Sequence, residues 1–108
     1  MSLSELNTLL DSIPGFKDKV TYRAWQIGQA PALPYICYLS NGSDNILADD
    51  KVYKKRLRVD IELYSALKDI ASEEAIEDAL DANDIPWEKD EEYIDSENCY
   101  QVTYEVTI

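Results

Sequence analysis

The chain predicts an α+β fold: a small, mainly antiparallel sheet of about four strands with two helices packed on it, in the order helix, strands, helix, strand. Three observations carry that expectation. From Lys51 to Tyr64 side chains alternate, with Tyr53, Leu57, Val59, Ile61 and Leu63 on one side and Lys54, Arg56, Arg58, Asp60 and Glu62 on the other. Tyr100, Val102, Tyr104, Val106 and Ile108 alternate in the same way with Gln101, Thr103, Glu105 and Thr107. A period of two is that of a strand with one buried face. Two other segments, around Leu6 and Ile76, repeat their apolar residues at three and four, the period of a helix with one apolar stripe. With both helices on one face of an antiparallel sheet, the other face stays wet or meets a partner.

The elements follow in order. Ser2 and Glu5 form a capping box, and Leu3, Leu6, Leu10 and Ile13 make a helical stripe from about Leu3 to Ser12, closed by Pro14-Gly15. Val20 to Ile27 is aromatic and β-branched and reads as a strand with Tyr22 and Trp25 as contact residues. Gly28 to Pro34 is a loop, leading into the apolar strand Tyr35–Leu39. Asn41 to Asn45 is turn chemistry, and a wide loop continues through Ile46 to Asp50 before the long strand Lys51–Tyr64. Within this loop Asn41, Asp44, Asn45, Asp49 and Asp50 are candidate partner-binding residues, because long loops often carry binding surfaces. Residues 65 to 71 form a linker, and Ser72 is the expected N-cap of a second helix ending near Ala82, with Ile76 and Leu80 facing the sheet. The acidic stretch Trp87 to Asn98 reads as an exposed edge or loop anchored by Trp87, Tyr93 and Ile94, and the last strand's natural neighbour is the long one.

At 108 residues the chain is one domain, 1–108, long enough to bury a core. Its formal net charge is −12, which disfavours nucleic acid and anionic membrane unless a basic patch is set apart. Charge is in fact segregated. Residues 1 to 58 carry 8 basic against 6 acidic residues, and residues 59 to 108 carry 2 against 16. The plain reading is a solvated, solubilising surface. The sharper one is a basic patch on one subunit meeting an acidic patch on another.

Catalytic inventory is thin. There is no histidine, so Ser-His-Asp and Cys-His arrangements are impossible, and Cys37 has no evident base. Cys37 and Cys99 lie far apart without CxxC spacing, which argues against zinc and suits small buried hydrophobes. No Gly-rich phosphate loop occurs, and the acidic pairs lack the spacing of a calcium loop. The chain is therefore expected to be neither an enzyme nor a cofactor binder; a carboxylate-built, metal-assisted hydrolase is the one enzymatic reading left. The start has no basic n-region or apolar core of a signal peptide, and no run approaches a membrane span, so synthesis in a reducing cytoplasm is expected. Lys54, Lys55, Arg56 and Arg58 are the dense basic cluster. They could meet phosphate, a neighbour's carboxylates, or Asp60, Glu62 and Glu105 in their own sheet.

Taken together, PALPYICYLSNGSDNILADDKVYKKRLRVDIELYSALKD, SEEAIEDAL, IPWEKDEEYIDSENCY and YQVTYEVTI resemble the tail-completion or tail-terminator (head-tail joining) proteins of long-tailed phages and prophages of Gram-positive bacteria. The likeness runs from about Val20 to the end and lies in pattern and short phrases. It implies a ring, commonly hexameric, that caps the tail tube and joins it to the head connector. The implied partners are further copies of the chain, the major tail protein and a head-completion protein, with no membrane, DNA only by passage through the ring, and no cofactor. The implied place is the virion neck, after assembly in the host cytoplasm. The family has no motif of functional residues to carry over. From chemistry, Lys54, Arg56 and Arg58 of one subunit are expected to meet part of the acidic stretch of the next, in particular Glu88, Asp90, Glu91 and Glu92. An acidic lumen would let DNA pass without sticking. The alternative is an acidic phage-encoded inhibitor or DNA mimic that binds a host nucleic-acid enzyme.

Overall fold

A computed structural model describes residues 1–108. It has α1 (Leu3–Asp11), β1 (Val20–Tyr22), β2 (Tyr35–Ser43), β3 (Ile46–Ala48), β4 (Lys51–Lys54), β5 (Leu57–Ser65), α2 (Ile70–Ala82), β6 (Trp87–Ile94) and β7 (Cys99–Thr107). The main sheet is five-stranded, in the order β1-β2-β5-β7-β6, and β3 and β4 form a separate two-stranded ribbon. Every pairing is antiparallel except β1 with β2. The α+β class, the two helices and the pairing of the last strand with β5 stand as expected. The strand number does not: the acidic stretch supplies a full edge strand, β6, and Ile46–Lys54 supplies the ribbon.

The long strand expected over Lys51–Tyr64 is two strands. It breaks at Lys55-Arg56, where the Arg56 N–H turns to Asn45 Oδ1 at 3.0 Å and its carbonyl accepts from the Asp44 N–H at 2.9 Å. Tyr53, expected in the core row, is 78% exposed on the ribbon. The apolar repeat continued through the break, and that continuity hid a change of sheet. The strand expected over Val20–Ile27 is also shorter, ending where Arg23 takes a positive φ of 66°.

The wide loop expected after Asn41 is the ribbon. Ala48 faces Lys51 across a two-residue turn, and both turn residues, Asp49 and Asp50, have positive φ, 52° and 60°. Those are the angles of the tight hairpin turn whose twist matches its strands. Asn-Gly was the obvious turn signal, but Gly42, at φ +115°, sits in a bulge of β2 opposite Arg58.

Side-chain parity in the sheet is regular. Ile36, Leu63 and Val102 lie in one cross-strand row, and Tyr38, Ile61 and Tyr104 in the next, all on the helix side and buried. Leu6 and Leu10 of α1 and Ile76 and Leu80 of α2 close over them without exposed surface. Phe16 and Ile85, just beyond each helix, complete this core. The Tyr38 hydroxyl donates to Asn7 of α1, tying that helix over β2. Cys37 and Cys99 are free and buried.

Capping differs at α2. Asp69, not Ser72, is the N-cap: its carboxylate accepts from the Ser72 N–H at 3.1 Å and the Ser72 hydroxyl at 2.7 Å. Glu73 in the first turn is 3% exposed. Its Oε2 lies 2.6 Å from Lys68 Nζ, a close ionic contact rather than an aligned hydrogen bond, and Oε1 accepts from Lys89 of β6 at 3.3 Å. Lys89 also donates to Glu77 at 2.8 Å, and the Tyr104 hydroxyl donates to Glu77 at 2.6 Å. This clamp joins α2 to β6 and β7. Partial desolvation pushes the Glu77 carboxyl up, but the hydrogen bonds from Lys89 and Tyr104 outweigh it and hold it below its ordinary value. Contact with Glu77 and Glu73 raises Lys89.

Two outcomes follow for the clamp. Glu73→Gln keeps the volume but removes the shared negative charge, and because both lysines stay about 40% exposed and can rehydrate, the loss in urea unfolding is about 1–3 kcal/mol, below that of a fully buried pair. A carboxyl with a lowered native pKa contributes stability above its unfolded pKa and loses it as pH falls through the native one. The stability difference between wild type and Glu77→Gln should therefore be flat over about pH 6–9 and fade below about pH 4, read by thermal melts.

Candidate functional site

The sheet face away from the helices divides in two. Over β2, Trp25 from the β1–β2 connection packs edge-on against Tyr35, ring centroids 6.1 Å apart, and Tyr35 packs on Tyr64 at 5.3 Å. Cys37 shares this face, and burial with the nearby Glu62 charge pushes its thiol up to about 11. It is a protonated thiol at neutral pH and no nucleophile.

Over β5, β7 and β6 the same face is acidic. Register sets Glu88, Glu105 and Asp60 opposite one another in one row across three strands. The next row holds Asp90, Thr103 and Glu62, and the next Glu92, Gln101 and Tyr64. Six carboxylates from three separated segments therefore share one surface. Like charges directly opposite on neighbouring strands cost stability rather than add to it. Glu62 accepts from Tyr64 at 3.2 Å and Gln101 at 2.9 Å, yet partial burial, with the Asp60 charge beside it, leaves its carboxyl above the ordinary value.

No carboxylate of this face is held in an ion pair within the chain. Lys68 and Lys89, the two basic residues after Arg58, are both engaged on the helix side with Glu73, Glu77 and Glu91. Arg58 is on the acidic face, one row beyond Asp60, and makes no ion pair; the cross-strand pairing open to the basic cluster is not formed. Arg58, Asp60, Glu88 and Glu105 line one shallow depression of about 510 Å³, with Pro86 and Asn41 at its margin.

The expected interface residues thus separate. Glu88, Asp90 and Glu92 stand together on the acidic face. Glu91 does not: strand parity turns it to the helix side, 2.5 Å from Lys68. Lys54 lies on the ribbon, Arg56 at its base beside Asp44 at 3.8 Å, and Arg58 on the sheet, so the three do not form one polar strand face. Of the candidate loop residues, Asn41 lies at the bulge, Asp44 and Asn45 pin the ribbon base, and Asp49-Asp50 make its turn. The role of Asp60 and Glu105 in the acidic row was missed; once β5 and β7 are neighbours, their polar positions fall on one face.

No cluster of three or more His, Cys, Asp or Glu side chains has the geometry to hold a metal ion. No helix is long and apolar enough to cross a membrane. Comparison of the chain with protein-family models, curated proteins and solved structures finds no match in any of the three.

Removing the middle charge of the acidic row tests whether the face is held against its own repulsion. Glu105→Gln should raise stability in urea unfolding by about 0.2–1 kcal/mol, and the gain should shrink in high salt as exposed charges are screened. A loss of stability would mean that Glu105 is paired in a way the register does not describe.

Proposed function

We propose that this chain is a structural assembly protein of a phage or prophage. Copies of it join into a ring that caps the tail tube and joins it to the head connector in the virion neck. The phrases that resemble tail-terminator proteins support this reading, and one structural observation carries it: opposite charges lie on separate surfaces of the same chain, and neither is neutralised internally. The basic side is the ribbon and its base, with Lys51, Lys54 and Lys55, none of which makes an ion pair; the acidic side is the face bearing Glu88, Asp90, Glu92 and Glu105, where Arg58 is the one cation. A patch that seeks a different patch on an identical molecule is the requirement for a head-to-tail contact, which closes into a ring when the rotation allows. A hexamer, contacts with the major tail protein and a head-completion protein, DNA only in transit and no catalytic step belong to the same reading.

A second reading has an observation of its own. Six carboxylates share one sheet face, so the acidic surface is wider than the stretch Glu88 to Glu97 and offers a phosphate-like array to a basic groove. That favours an acidic inhibitor or DNA mimic acting on a host nucleic-acid enzyme.

Light scattering of wild type against Lys54→Glu, Arg56→Glu, Arg58→Glu separates the two. Ring assembly predicts a multimer for wild type and a monomer for the variant, and tail tubes grown with wild type should stop at uniform, capped ends. An unchanged multimer would overturn the basic contact. A monomeric wild type that captures a nuclease or polymerase, and leaves tail tubes uncapped, would move the assignment to mimicry.

A further inference from the structure

The β3–β4 ribbon stands off the main sheet and carries Ile46, Leu47, Val52 and Tyr53 at 41, 66, 50 and 78% exposure. Leu47 faces Val52 directly across the ribbon, and Tyr53, the extra residue where the register shifts between Leu47 and Ile46, is the most exposed of the four. A two-stranded ribbon alone is marginal in water, and four large apolar side chains on so short an element call for cover. The molecule measures 49 by 28 by 23 Å, long in one direction for a chain of this size.

The ribbon is also basic. Lys51, Lys54 and Lys55 make no ion pair, and Asp49 and Asp50 sit at its tip. Its base is fixed by the Asn45 and Asp44 hydrogen bonds to Arg56 and by the Arg56 charge contact. Held this way, its lysines reach none of the chain's own carboxylates. Lys51, Lys54 and Lys55 outnumber Asp49 and Asp50 on and beside the ribbon, and Asp60, Glu88 and Glu105 outnumber Arg58 around the depression, so the two surfaces are complementary in sign.

We propose that the ribbon is a docking arm whose occupant site is the acidic depression on the open sheet face of a second copy of this chain. Lys51, Lys54 and Lys55 meet the carboxylates around that depression, and Tyr53 is covered against the sheet end near Pro86. Each copy then gives one arm and receives another. This rests on the head-to-tail assembly inferred above and names the two elements that make the contact.

Two single-cysteine additions map it: Tyr53→Cys and Glu88→Cys, each in the full chain, where Cys37 and Cys99 are buried and serve as an unreactive background. Mixed under mild oxidation, the two variants should form a heterodimeric disulfide that neither forms alone. In parallel, Leu47→Ser with Tyr53→Ser should weaken self-association at least about tenfold, as loss of an apolar anchor does, with an unchanged melting temperature at dilutions where both proteins are monomeric, because the ribbon lies outside the core. A Tyr53→Cys homodimer would overturn the arm-to-face contact in favour of ribbon pairing with ribbon. Absence of the mixed disulfide while wild type is multimeric would overturn this contact and leave ring assembly standing. A wild type that is monomeric at every concentration, with no cross-link, would overturn both.

Discussion

The buried carboxylate of Glu73 sets the charge layout of the whole molecule. Taking a carboxylate out of water is costly unless cations accompany it, and here Lys68 and Lys89 both do. They are also the two basic residues in a half of the chain that carries 16 acidic ones. With both committed to the helix side, nothing basic from that half remains for the opposite face. The same interaction that fastens α2 to the sheet edge therefore leaves the open face of β5, β7 and β6 with Arg58 as its one cation against six carboxylates. Fold and surface chemistry are linked at this point.

What the chain does with that face is consistent with how its stability is spent. The helix side is closed by aliphatic residues without exposed surface, and the clamp adds to it. The open side sets three carboxylates in one cross-strand row, a local arrangement that opposes folding. Rules broken in one place by an otherwise consistent structure mark the places where function is found. The ribbon is the other such place, with apolar side chains in water on an element that has no core. Each of the two supplies what the other lacks: cations and apolar surface on one side, anions on the other. An identical neighbour presents both.

Much of the core was legible in the amino-acid sequence because burial imposes a period. Leu6 and Leu10, Ile76 and Leu80, and the alternating rows of β5 and β7 were all visible, as was their adjacency. The failures have physical causes. A strand that leaves one sheet and enters a ribbon keeps its alternation, so the break at Lys55-Arg56 leaves no mark in periodicity. Asp-Asp served the hairpin turn where Asn-Gly was the stronger signal, because aspartate tolerates the left-handed region that the turn needs. The acidic stretch read as an exposed edge or a loop, and it is an edge strand; composition alone did not separate the two, because charge is also how such edges avoid sticking to one another. The site was half visible. Glu88, Asp90 and Glu92 were named as a stretch, but their union with Asp60, Glu62 and Glu105 needed register, and the turning of Glu91 to the other side needed parity.

The central claim is that complementary charge, left unsatisfied within each chain, holds copies together. Sedimentation velocity of the wild-type chain across a salt series addresses it directly, since the reach of exposed charges falls from about 30 Å at 0.01 M to about 3 Å at 1 M ionic strength. The account predicts a multimer at low salt that dissociates toward the 12.3 kDa monomer as salt rises. A sedimentation coefficient that holds constant or grows over that range would contradict it.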